Sequence, residues 1–231
     1  MAVAAALSPH RKAFARLKAG LDARHQATLA ERLTQADPTL LRTGFEALDQ
    51  ALGGGFVRGT IAVLEGESSS GRTAVAARLL AAGTAGGLAA VIDDGALYPP
   101  GLAAAGVRLE RLLVMPAEDP LGAARAADIL LRSHAFTIVL MPALKVKAAL
   151  WARLAGLAHH AGALLFALGT EAGNELGYFS TARVRLRILK VHWTHASGPF
   201  SQLAGYEIQA EVVKNKRAAP GAGATISVRA A

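Results

Sequence analysis

The chain has 231 residues, 52% hydrophobic and 18% charged, and its 25 Lys and Arg against 17 Asp and Glu give a formal charge of +8. That length and apolar fraction exclude wholesale disorder and allow one large core with a small appendage. The absence of cysteine excludes disulfides, thiolate metal sites and thiol nucleophiles and fits a cytoplasmic setting, while the basic balance favours acidic partners, nucleic acid among them.

Met1 to Leu7 is too short an apolar run for a secretion signal, and Arg11 and Lys12 follow it rather than lead it. Phe14, Leu17, Leu21, Leu29 and Leu33 then recur at helical spacing among charged residues until Asp37-Pro38. This predicts an N-terminal helical arm over residues 1–37 and a core domain over 38–231, with Phe14, Leu17 and Leu21 as candidate contacts to the chain's own core or to a partner. Phe45, Leu48 and Leu52 share one face of a short helix closed by Gly53 to Gly55, and Gly59 turns the chain into an apolar strand from Thr60. After the loop that follows, an alanine- and leucine-rich helix is expected from Arg72 to about Ala82. Gly83 to Gly87 then lead into a second strand, Leu88 to Ile92, which ends in Asp93-Asp94.

The alternation continues through strands at Leu112 to Met115, Phe136 to Met141 and Ala163 to Leu168, with helices at Leu121 to Ser133 and Val146 to Ala161. Continuous apolar strands separated by helices predict an α/β fold with a mainly parallel central sheet flanked by helices. The uncharged stretch Leu154 to Thr170 contains His159, His160 and several glycines, so it reads as a helix end running into a buried strand and not as a membrane span. From Arg183 the period becomes two: Arg183, Arg185 and Arg187 alternate with Val184, Leu186 and Ile188, and Tyr206, Ile208, Ala210 and Val212 repeat the pattern before a last strand at Ala224 to Val228. C-terminal antiparallel strands are therefore expected. The three arginines, about 7 Å apart along one face, form a candidate stripe for DNA phosphates; a solvated sheet face or an acidic protein partner explains them equally.

The loop Gly66-Glu-Ser-Ser-Ser-Gly71-Arg72-Thr73 matches the phosphate-loop pattern G-x-x-x-x-G-K-[ST] except that arginine replaces lysine. In that pattern backbone N–H groups cradle phosphates, lysine reaches the terminal phosphates and the hydroxyl holds Mg²⁺. Gly66, Ser70, Gly71, Arg72 and Thr73 are the candidate phosphate-binding residues. Ser68 to Ser70 have no His-plus-acid arrangement nearby for nucleophilic catalysis. No metal site is expected, because His159 and His160 are adjacent on a helix and point about 100° apart, and His192 and His195 lack a third ligand in sequence.

Taken together, Thr43-Gly44, Leu48-Asp49, Leu52-Gly53-Gly54-Gly55, Gly59 and the loop resemble the ATPase core of the RecA/RadA recombinases. Val91-Ile92-Asp93 with Ala96-Leu97 and Pro99 resembles its second strand, and Glu211-Val-Val-Lys-Asn-Lys-Arg-Ala-Ala-Pro220 is the most specific match. The resemblance covers about Leu41 to Val228 and implies a RecA-like core. It also implies a damaged ATP site. Arg72 stands where the family has lysine, Met141 where it has the Mg²⁺-linked aspartate, and Gly169 where it has a nucleotide-sensing glutamine. Asp93-Asp94 replace the catalytic glutamate with one residue fewer, and the two DNA-contacting loops, Pro142 to Val146 and Thr170 to Ser180, are short. The resemblance thus implies no catalytic residue and weak or lost binding of ATP and Mg²⁺.

At this length the chain is similar to the ImuA family of RecA-like accessory proteins in bacterial damage-induced mutagenesis. That similarity implies RecA, a polymerase-like ImuB protein and an error-prone DNA polymerase as partners, DNA as a further one, no membrane, and a nucleoid-associated place in the cytoplasm. In the recombinases the two lysines corresponding to Lys214 and Lys216 reach the nucleotide of the adjacent subunit, so both are candidate interaction residues. Two other readings stand beside it: an atypical nucleotide-dependent DNA-binding ATPase in which Arg72 and Asp94 take over, and a nucleotide-free interaction module outside DNA repair.

Overall fold

The computed structural model describes residues 39–93, 95, 97–195, 201–218 and 221–229. The arm expected over residues 1–37, with Phe14, Leu17 and Leu21, and the acid Asp94 lie outside the described residues. In chain order the elements are β1 (Leu40–Leu41), α1 (Glu46–Leu52), β2 (Phe56–Val57), β3 (Ile61–Glu65), α2 (Arg72–Gly86), β4 (Leu88–Asp93), α3 (Pro99–Ala104) and β5 (Leu112–Pro116). They continue with α4 (Pro120–Arg132), β6 (Phe136–Pro142), α5 (Ala148–Ala161), β7 (Leu164–Gly169), α6 (Asn174–Phe179), β8 (Ala182–His195), β9 (Ser201–Asn215) and β10 (Gly223–Arg229).

Eight strands form one sheet in the order β10-β9-β8-β3-β7-β6-β4-β5. From β8 to β5 every neighbouring pair is parallel, whereas β8–β9 and β9–β10 are antiparallel. The central strand β3 is buried along its whole length, as a parallel strand covered on both faces must be. Side chains alternate between the two covers. Ala62 and Leu64 pack with Leu48, Leu79, Leu80 and the inner residues of β8 to β10, while Ile61 and Val63 pack with Leu130, Trp151 and Leu154 from α4 and α5. The sheet is thus α/β and mainly parallel with antiparallel strands at its C-terminal side, as the pattern of the chain predicts. Among the described residues no helix is long and apolar enough to cross a membrane.

Three local features depart from the sequence expectations. Helix α2 does not stop at Ala82 but runs to Gly86, because Gly83 lies against Ile138 of β6 and its missing side chain is what lets helix and sheet approach. Residues 174–179, expected as loop, form the short helix α6, anchored by Leu176 at 1% exposure. The third feature is the length of β8 and β9. Only Ala182 to Arg185 of β8 pair with β3, yet the pairing with β9 continues to His195↔Ser201. The distal part, the β8–β9 ribbon, therefore runs past the end of β3, over the loop that follows that strand; β10 backs it as far as Gly205↔Arg229, and only Trp193 to His195 with Ser201 to Leu203 are two-stranded.

Candidate functional site

The loop after β3 is built on glycine geometry. Gly66 donates its N–H to the Gly169 carbonyl at 3.2 Å, and Ser70 N–H to Glu67 O at 3.1 Å closes a turn. Ser69 (φ 62°) and Gly71 (φ 89°) are left-handed. Gly71 is the N-cap of α2, with no side-chain cap and no acidic residue in the first turn, so the positive end of the helix dipole and its free N–H groups face the loop. A Cβ at Gly71 would collide with the Ile208 side chain from β9, which makes glycine a requirement of packing as well as of φ. Ser70 is 4% exposed and its hydroxyl has no hydrogen-bond partner; it lies against the backbone of Gly66. Arg72 is half-buried and Thr73 exposed, and both border a cavity of about 770 Å³.

Opposite the loop, that cavity is closed by the ends of the parallel strands and by the ribbon. Met141, at the end of β6, is 1% exposed and packs into the apolar cluster with Ile92 and Val139. The Asp93 carboxylate borders the cavity, but its Oδ2 accepts the N–H groups of Gly95 at 3.0 Å and Leu97 at 2.9 Å. Ala143 donates its N–H to Leu168 O at 2.6 Å, which draws β6 and β7 together so tightly that a Cβ on Gly169 would lie 2.6 Å from the Ala143 Cβ. This donor set suits a phosphate-type anion on the N–H groups of α2; for Mg²⁺ it offers the Thr73 hydroxyl and the Asp93 carboxylate, but no carboxylate at Met141. Gly169→Gln is expected to cost about 1–3 kcal/mol through overpacking. A second substitution, Ala143→Gly, recovers most of that loss, as urea unfolding of the single and double variants checks.

The arginine stripe is largely engaged. Glu65, the last residue of β3, is fully buried. Its Oε1 accepts Arg183 Nε at 3.0 Å, Arg183 Nη2 at 2.6 Å and Ala172 N at 2.9 Å, and its Oε2 accepts Arg185 Nη2 at 3.3 Å. The Arg183 side chain is 21% exposed and that of Arg185 50%. Arg187 donates to Gln209 Oε1. Of the three residues proposed for DNA, Arg183 is thus a structural counter-ion, and Arg185 and Arg187 are the outward-facing ones.

The two lysines of the Lys-Asn-Lys run separate in the same way. Lys214 Nζ donates to the carbonyls of Gly177 at 2.8 Å and Tyr178 at 3.0 Å, capping the last turn of α6. Partial burial, then the charges of Lys216 and Arg183, lower its pKa. Asn215 donates to Leu52 O at 3.0 Å and accepts Arg217 N at 2.9 Å. Lys216 alone projects to solvent. Thr43-Gly44 and Asp49 are likewise a folding device: Asp49 Oδ1 accepts Thr43 N and Oγ1, both at 2.8 Å, and Oδ2 accepts Gly44 N at 3.2 Å. Burial raises the Asp49 pKa against these hydrogen bonds.

Elsewhere, His192 pairs with Glu207 at 2.9 Å, and among the described residues no three His, Asp or Glu side chains form a metal-ligating group. Sequence reasoning missed Glu65 and the ribbon's apolar wall of Val191, Trp193, Leu203 and Tyr206, which borders the cavity. A signal for Glu65 existed: a single carboxylate ending an otherwise apolar strand, with an Arg-x-Arg-x-Arg strand later in the chain to neutralise it. The ribbon left no signal, because pairing between β8 and β9 says nothing of what they overhang.

The RecA N-terminal domain family matches residues 23–156, more than half of the 231 residues. The RecA protein of Picosynechococcus sp. is 31% identical over 217 residues, covering 77% of this chain and 61% of the relative. That of Synechocystis sp. is 28% identical over 226 residues, covering 81% and 63%. Over a shorter stretch of 106 residues, the RecA of Mycobacterium marinum is 42% identical, covering 45% of this chain and 31% of the relative. The chain thus spans 61% and 63% of the lengths of the first two of these relatives. A crystal structure of the RadB recombinase superposes with a TM-score of 0.63 at 20% identity, covering 80% of this chain and 94% of that one, which shows a shared fold. By its domain match, its relatives and its architecture, the chain belongs to the RecA family.

Proposed function

We propose that this chain is a non-catalytic RecA-family accessory protein of damage-induced mutagenesis, acting through contacts with RecA, with an ImuB-like polymerase-family protein and with an error-prone DNA polymerase at the nucleoid. The observation that carries this reading is the chemistry at the strand ends beside the loop. Met141 is sealed in an apolar cluster, the Asp93 Oδ2 is spent on two backbone N–H groups, and Gly169 has no room for a side chain. Activating water and holding Mg²⁺ call for carboxylate groups, and of these three positions only Asp93 carries one, tied to the backbone through its Oδ2. The exposed Lys216 remains available to reach an anionic group on an adjacent RecA-type subunit, and Arg185 and Arg187 to make salt-sensitive, sequence-independent DNA contacts.

A second reading, an atypical DNA-binding ATPase, is favoured by the intact turn from Gly66 to Gly71 and the open cavity beside Arg72. Thermal melting with Mg²⁺-ATP and phosphate release with single-stranded DNA separate the two readings, since a ligand that binds only the native state raises the midpoint. Phosphate release above background abolishes the non-catalytic reading. Co-precipitation with RecA, with and without residues 1–37, tests the accessory role; failure of both forms to capture RecA removes its support.

A further inference from the structure

We propose that a protein partner docks through an acidic amphipathic helix into a groove that runs around the first turn of α2, from the β8–β9 ribbon to α3. This rests on the non-catalytic reading above, because a bound nucleotide would claim the same groove.

The groove is made of two cavities, of about 770 and 570 Å³, which share Thr73, Ala74, Leu97 and Tyr206 and are therefore continuous. One half lies under the ribbon, and the other between α2, α3 and the last residues of β10. Trp193, 61% exposed, stands on the wall of the first half, and Tyr98, 71% exposed, on that of the second. Val191 and Leu203 extend the apolar surface beside Trp193, as Phe45 and Leu102 do beside Tyr98. Together the halves exceed the roughly 300–1,000 Å³ of a small-molecule site. An amphipathic helix fits this shape, with bulky residues one or two turns apart entering the two halves.

Charge selects an acidic helix over a basic one. Arg72, Arg78 and Arg229 border the groove, and among the described residues none of their side chains has a hydrogen bond or ion pair. The one carboxylate on the walls, again among the described residues, is Asp93, and its Oδ2 is already held by the N–H groups of Gly95 and Leu97. Arg78 lies over the Phe45 ring at 5.8 Å from its centre, so this guanidinium is positioned at the groove before a partner arrives. Burial raises the Tyr206 pKa, so the phenol between the two halves stays neutral and does not repel a carboxylate. Unpaired guanidinium groups interspersed with exposed aromatic surface match a helix that carries Glu or Asp beside its apolar anchors.

The test uses a synthetic helical peptide of about four turns, free of Trp and Tyr, with Leu and Phe on one face and Glu on the other. It is titrated into the full chain by calorimetry and tryptophan fluorescence, in parallel with the same peptide carrying Lys for Glu and with polyglutamate of equal length. Trp151 is fully buried, so a blue shift on binding reports Trp193. The Glu-faced peptide is expected to bind at least about tenfold more tightly than polyglutamate, which lacks the apolar transfer, and than the Lys-faced peptide, which meets like charge. Trp193→Ala lowers its affinity about tenfold. Arg78→Glu weakens the Glu-faced peptide about tenfold and strengthens the Lys-faced one, a reversal that loss of folding cannot produce. Equal binding of either control peptide, indifference to both substitutions, displacement of the peptide by oligodeoxythymidylate, or a dimer in sedimentation that Trp193→Ala dissolves overturns the helix site and leaves the non-catalytic reading standing. Phosphate release from Mg²⁺-ATP overturns both.

Discussion

Glu65→Ala is expected to lose about 3–5 kcal/mol of stability in urea unfolding, the cost of breaking a buried ion pair from one side. The carboxylate is fully buried at the end of the central strand and accepts four hydrogen bonds: two from Arg183, one from Arg185 and one from the Ala172 N–H. Its removal strands the Arg183 guanidinium in a mostly buried position and leaves the Ala172 N–H without its acceptor. Arg183→Ala is expected to cost nearly as much, since Glu65 then keeps only the Ala172 N–H and the longer contact from Arg185. Arg185→Ala, with a half-exposed side chain at 3.3 Å, falls below about 1 kcal/mol. An equal loss for Arg183→Ala and Arg185→Ala would contradict this ordering.

Met141→Asp, which returns the carboxylate that the recombinase pattern has at this place, is expected to destabilise the fold by roughly 3–5 kcal/mol without producing phosphate release. The change removes a side chain that is 1% exposed in a close-packed cluster and places a carboxylate among the apolar neighbours Ile92 and Val139. Combining it with Arg72→Lys does not restore turnover, because Asp93 remains engaged with Gly95 and Leu97 and Gly169 still has Ala143 against it. Denaturant midpoints and a phosphate-release assay of the single and double variants check both halves. Turnover in the double variant would mean that the apolar strand ends are easily reversed.

The fold was largely legible in the chain. Continuous apolar runs such as Ile61 to Leu64 have only one stable home, a parallel strand covered on both faces, and the change to alternation at Arg183 announced the antiparallel strands. The loop from Gly66 to Thr73 was legible for a similar reason, since a glycine-bounded turn between a strand and a helix has few backbone solutions. The arginine stripe was legible as a pattern but not as a role. Alternation places Arg183 and Arg185 on one face, but only the parallel register Glu65↔Arg185 and Val63↔Arg183 brings that face to a buried carboxylate 118 and 120 residues earlier. Lys214 is a similar case, because the α6 carbonyls that hold it come from a stretch expected as loop.

By itself, the sequence determined the class of the fold and the position of the phosphate-type loop. These follow from local rules of period, turn geometry and side-chain chemistry, each complete within a few residues. Tertiary structure alone decided that Glu65 binds two arginines of the stripe, that Gly169 is hemmed in by Ala143 and that the β8–β9 ribbon carries Trp193 and Leu203 over the loop. Those contacts join segments far apart in the chain, and strand order and register determine which side chains share a space.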